Sequence, residues 1–181
     1  MSEAQRRPLR VALLYHRHGS DGVAESLVSE LAAALREAGH EPCVISSRPG
    51  WLRRSLEWPL ARRGFDGPLT HLPLAVRELD RGGCDVAHAF SHLDALAARL
   101  WRGGPAIFTC AEPLGRAELA NRRLRLRLLG GAFEGTDAVV APTEEARAAL
   151  WRWLAVEARV LEAGDAAAHE RLYRELLDRR L

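Results

Sequence analysis

The sequence predicts an α/β fold, a single Rossmann-like, doubly wound parallel sheet of about six strands with helices on both faces. Three observations predict it. Short aliphatic runs alternate with amphipathic helical segments, the pattern of successive βα units. Several of those runs are apolar without interruption, as strands covered on both faces require. Cap and turn residues stand at the joins. With 181 residues, 48% hydrophobic and 28% charged, the chain has the length and composition of one globular domain spanning 1–181.

The first strand is expected at 11–15. The helix after it brings Val23, Leu27, Leu31, Ala34, Leu35 and Ala38 to one face, with Ser20 or Asp21 as N-cap and Gly39 at the left-handed C-terminal position. A second strand at 42–46 and a helix at 72–81 follow, then a strand at 85–89 and a helix at 93–101. Gly103, Gly104 and Pro105 turn the chain into a fourth strand at 106–110. A helix at 116–129, a strand at 138–141, a helix at 144–154 capped by Thr143, and a strand at 159–161 complete the sheet. The last helix, at 168–179, carries an apolar stripe of Leu172, Tyr173, Leu176 and Leu177. Residues 1–9 read as a flexible arm and 167–181 as a terminal helix packing on the domain.

All 26 basic residues are arginine, set against 24 acids for a net charge of +2. So small an excess is not the electrostatic footprint of a nucleic-acid binder, and no nucleic-acid partner is expected. The absence of lysine fits the codon bias of a GC-rich bacterial genome. Cys43, Cys84 and Cys110 are odd in number and lie in apolar runs, so they read as small hydrophobes rather than a disulfide framework. No apolar run approaches the roughly 20 residues of a membrane span, and the N-terminus lacks a secretory pattern, which places the chain in the cytoplasm.

In an open parallel sheet, ligands bind beyond the carboxyl ends of the strands, where strand order reverses. That rule selects His16, His18, Gly19, Ser20, Asp21 and Gly22 after the first strand, and His88, Ser91 and His92 at the third. It also selects Glu112 after the fourth, and Thr143 and Glu144 after the fifth. The loop His18-Gly19-Ser20-Asp21-Gly22 offers backbone amides and a helix N-terminus to phosphate, carboxylate or sugar hydroxyls. It lacks the Gly-x-Gly-x-x-Gly spacing, and Ser46, Ser47 and Arg48 stand where a dinucleotide site would end its second strand in an acid. His16, His18, His88, His92, Cys110 and Glu112 are suitable zinc ligands by type but have none of the usual spacings, so no metal is expected. No nucleophile elbow, Walker loop or kinase signature is present.

The run Gly19-x-x-Gly22-x-x-Glu25, with Leu31-Ala32-x-x-Leu35-x-x-x-Gly39-His40-Glu41 and Cys43-Val44-Ile45, resembles the N-terminal, acceptor-side domain of retaining glycosyltransferases of family 4 (group 1), which have the two-domain GT-B fold. Asp85-Val86-Ala87-His88-Ala89 and Pro105-Ala106-Ile107-Phe108-Thr109 resemble two further strands of that family, in the same order. Ala138-Val139-Val140-Ala141-Pro142-Thr143-Glu144 and Val160-Leu161-Glu162-Ala163-Gly164-Asp165 continue it. The resemblance implies a domain that binds an acceptor and forms half of a sugar-transfer cleft, the nucleotide sugar being a donor substrate and no cofactor being needed. The family's donor-binding domain has no counterpart in this sequence, so a separate donor-binding subunit or a homodimer is expected to supply it. Glu162 and Glu170 have the family's Glu-x7-Glu spacing but lie before any donor domain, and chance alone gives about three such pairs at this acid content. At the end of the fourth strand the family commonly has a histidine; here Ala111 or Glu112 occupies that place, and Glu112 is the candidate catalytic residue. The alternative is a non-catalytic binding or scaffold module with a glycosyltransferase-derived fold.

One basic segment stands apart. Trp51, Arg53, Arg54, Trp58, Arg62 and Arg63 interleave tryptophan with arginine, a chemistry suited to phosphate or to a membrane interface. A lipid-linked or phosphorylated acceptor would fit it, at the inner face of the membrane; so would a partner protein.

Overall fold

The structure, a computed structural model, describes residues 7–15, 22–46, 68–110 and 130–180. Its elements in order are β1 (Arg10–Tyr15), α1 (Gly22–Glu37), β2 (Glu41–Ser46), α2 (Pro68–Gly82), β3 (Val86–Ala89), α3 (His92–Leu100), β4 (Ala106–Thr109), β5 (Ala138–Ala141), α4 (Glu144–Leu154), β6 (Arg159–Val160) and α5 (Ala166–Asp178). Six strands form one parallel sheet in the order β2-β1-β3-β4-β5-β6. The sheet is doubly wound. Alternate residues of β1 divide between two cores: Val11, Leu13 and Tyr15, with Leu9 just before the strand, meet α1 and α5, while Ala12 and Leu14 join Ala75 and Leu79 of α2, Ala95, Ala97 and Ala98 of α3, and Leu150 of α4. Burial on both faces is the reason these strands read as unbroken apolar runs.

Local signals account for the element ends. Gly39 has φ +84 and closes α1, with His40 N–H donating to the Leu35 carbonyl at 2.9 Å. Thr143 Oγ1 accepts from Ala146 N–H at 3.1 Å, and Asp165 Oδ1 accepts from Ala168 N–H at 2.9 Å, capping α4 and α5. Pro42 is tolerated in β2 because that strand lies at the sheet edge.

Four expectations shift. The buried face of α1 is Val28, Leu31, Ala32 and Leu35, whereas Val23 is 53% exposed; at 100° per residue Val23 stands about 140° around the helix from Val28. Leu9, expected in a flexible arm, is buried, and its N–H donates to His40 Nδ1 at 3.2 Å. The third strand starts at Val86, because Asp85 turns its carboxylate to the Arg10 N–H at 2.8 Å and to the Arg7 guanidinium. Cys84 and Cys110 are buried but Cys43 is exposed on the edge strand, and all three are free thiols. Burial is the main reason the Cys84 thiol is pushed up to about 11.

Candidate functional site

The order β2-β1-β3 means that the chain leaves β1 to one side and returns to its other side. Beyond the carboxyl ends of β1 and β3 is therefore the point where the sheet's winding reverses, the place where open parallel sheets generally take ligands. Helices α1, α3 and α4 follow strands β1, β3 and β5, so each begins on this side and directs N–H groups and a positive dipole end toward it. Gly22 opens α1, and a side chain added there would meet nothing within 4 Å.

At the β3 end, Ser91 is the N-cap of α3: its Oγ accepts from Asp94 N–H at 3.2 Å and donates to Asp94 Oδ2 at 2.6 Å. Asp94 is fully buried at this turn, and His92 is half-buried beside it. Across the sheet, Thr143 and Glu144 are exposed at the start of α4, where Arg147 holds Glu144 through two hydrogen bonds of 2.8 and 2.6 Å. Those bonds lower the Glu144 pKa, so the group is a carboxylate rather than a proton donor at neutral pH.

His88 is placed differently from its neighbours in sequence. It has no exposed surface, and its ring stacks on Phe90 with centroids 4.7 Å apart. Nδ1 lies 2.8 Å from the Tyr173 hydroxyl and Nε2 lies 2.6 Å from Thr109 Oγ1. A neutral imidazole has one donor and one acceptor nitrogen, and two hydroxyls satisfy both. Desolvation, with the nearby His169 adding to it, holds the His88 pKa well below the ordinary histidine value. Burial likewise pushes the Tyr173 phenol up. The strand-end histidine thus joins β3, β4 and α5 inside the core, with no nitrogen left over for a ligand.

Thr109, His169 and Asp94 are not among the sequence candidates, and Tyr173 is there only as part of an apolar stripe. Two signals were available: Ser91-x-x-Asp94 has capping-box spacing, and His169 and Tyr173 are four apart on one helix face. His16, Gly19, Ser20, Glu112, the helix expected at 116–129, and the segment with Trp51, Arg53, Arg54, Trp58, Arg62 and Arg63 lie outside the described residues. Among the described residues, no group of three or more His, Cys, Asp or Glu could hold a metal ion, and no helix is long and apolar enough to cross a membrane.

A family model described as Glycosyltransferase Family 4 matches residues 24–162. Among solved structures, the chain is similar to a sucrose-phosphate synthase from Thermosynechococcus elongatus, with 18% identity and a TM-score of 0.60 over 92% of this chain and 98% of that one. It is also similar to a glycosyltransferase from Rickettsia africae ESF-5, at 16% identity and a TM-score of 0.54. That match covers 86% of this chain and 43% of the Rickettsia chain, so the sequence spans less than half the length of that relative. No curated protein sequence matches the chain. At these identities the solved structures speak to the fold.

Proposed function

This chain belongs to Glycosyltransferase Family 4, and on that premise we propose that it binds a sugar acceptor beyond β1 and β3 and supplies one wall of a sugar-transfer cleft. The sheet order supports the proposal, because it sets the carboxyl ends of β1, β3 and β4 side by side, with the winding reversal between β1 and β3. A nucleotide sugar is the donor, presented across the cleft by a donor-binding lobe on a separate subunit or on a second copy of the chain. Gly19, Ser20 and Gly22 receive phosphate or acceptor hydroxyls at the start of α1, while His16, Ser91, His92, Thr143 and Glu144 border the acceptor. His88 acts from beneath, holding β3, β4 and α5 in register through its two hydroxyl partners. Glu112 accepts the acceptor's hydroxyl proton as that oxygen bonds to the anomeric carbon and the nucleotide leaves. A lipid-linked or phosphorylated acceptor would meet the arginines and tryptophans of residues 51–63 at the cytoplasmic face of the membrane.

Calorimetric titration with nucleotide sugars and free nucleotides tests the division of labour. With the donor lobe on a separate subunit, the chain alone is expected to give no saturable heat, and sugar transfer is expected once that partner is added. Micromolar binding by the chain alone, about −8 kcal/mol, would put the donor site on this chain or its dimer and overturn the separate subunit. The Ala111 or Glu112 that stands where the family commonly has a strand-end histidine favours the second reading, a non-catalytic scaffold. In the reconstituted pair, Glu112→Ala is expected to lower transfer by about 100-fold or more if Glu112 moves the proton; unchanged transfer would favour the scaffold.

A further inference from the structure

We propose that a pocket beside Trp151, at the β6 edge of the sheet, is a second sugar-binding site, taking an uncharged glycan that stacks on the indole. Helix α4 buries Leu150 and leaves Trp151 58% and Trp153 41% exposed. Trp151 lines a pocket of about 360 Å³ together with Arg147, Val156, Glu157 and Ala158, a size within the roughly 300–1,000 Å³ of small-molecule sites. Ala155, at φ 53, is the left-handed C-terminal cap of α4 and donates its N–H to the Leu150 and Trp151 carbonyls; Val156, Glu157 and Ala158, which follow it, line the pocket with Trp151.

The lining selects the ligand class. The indole, Val156 and Ala158 are apolar, while Arg147 and Glu157 offer hydrogen-bond donors and acceptors. A pyranose ring divides the same way, with C–H groups on its faces and hydroxyls around its rim. Charge argues against an anion. Glu144 already neutralises Arg147 with two hydrogen bonds, Glu157 adds a carboxylate, and the negative end of α4 lies beside Val156. Phosphate, a nucleotide and an anionic lipid surface would all be repelled. Trp151 lies seven residues beyond Glu144 on the same helix, about 10 Å along its axis, so the indole stands apart from the residue of the proposed cleft nearest to it. A long acceptor held here would have a raised effective concentration at the cleft. The choice of a glycan among uncharged ligands rests on the proposed sugar-transfer function.

The test is titration of the full chain with glucan, mannan, galactan and N-acetylglucosamine tetrasaccharides, followed by saturation-transfer NMR and tryptophan fluorescence. UMP and inorganic phosphate serve as anionic probes. Saturable millimolar binding of at least one tetrasaccharide is expected, about tenfold weaker in Trp151→Ala and within about threefold of the parent in Trp151→Phe. Circular dichroism should be the same for all three proteins, since Trp151 is mostly outside the core. The proposal is overturned if no tetrasaccharide binds, if Trp151→Ala binds as well as the parent, or if UMP or phosphate displaces the sugar. A dimer that Trp151→Ala converts to monomers without any sugar binding would also overturn it, marking an interface between copies. Glu112→Ala should leave Trp151-dependent binding intact, so failure in the cleft and failure at this pocket remain separable.

Discussion

His88 shows how one side chain couples chemistry to packing. Its two nitrogens are satisfied by Thr109 and Tyr173, and the charges that act on it come to one other histidine, His169, whose own pKa is lowered by burial despite the Asp165 carbonyl. Protonating either ring places a positive charge in the core, so the unfolded chain binds protons that the folded chain refuses. Stability is therefore complete above the ordinary histidine pKa of about 6.5 and falls as pH drops below it, by up to about 1.4 kcal/mol per pH unit for each histidine. Urea unfolding measured between pH 7.5 and pH 5 should show this acid limb. His88→Gln, which keeps a donor and an acceptor, should flatten its share of the slope; an unchanged slope would assign the acid limb to other groups.

Among the elements, the ends are governed by short-range chemistry and the faces by what covers them. The Thr143 cap, the Gly39 terminus and the turn at Gly103 and Gly104 are readable in sequence because each depends on residues within a few positions. Gly104 also has a long-range role: a Cβ there would lie 2.2 Å from the Asp85 carbonyl oxygen. Gly104→Ala is expected to cost about 1–3 kcal/mol, because backbone rather than a flexible side chain must move. Thermal melts would measure it, and an unaltered Tm would show that the β3–β4 approach relaxes freely. The face of α1 was harder to read. Val23 and Val28 are chemically equal, and the placement of α1 between β1 and α5 selects Val28 for burial.

At the scale of the whole molecule, α5 closes the sheet face begun by α1. Leu172, Tyr173 and Leu176 are buried in that core, and Arg159 grips Glu175 through two hydrogen bonds of 2.6 and 2.8 Å, drawing the Glu175 carboxyl down to about 2. Each large apolar side chain contributes about 1.5–3 kcal/mol on burial, so three of them rival the 5–15 kcal/mol net stability of a typical domain. Truncation after Asp165 is expected to abolish cooperative unfolding; a truncated chain that still melted cooperatively would make α5 an accessory. The sequence by itself determined the alternation of strands and helices, their caps and the family resemblance, since periodicity and capping depend on near neighbours. Tertiary structure decided the strand order and which strand-end polar groups turn inward. His88 and Ser91 look alike as candidates in the chain, but Tyr173, 85 residues beyond His88, encloses the first, while the second, half-buried, caps a helix at the carboxyl end of β3. A polar side chain is buried or open according to partners that only folding brings to it.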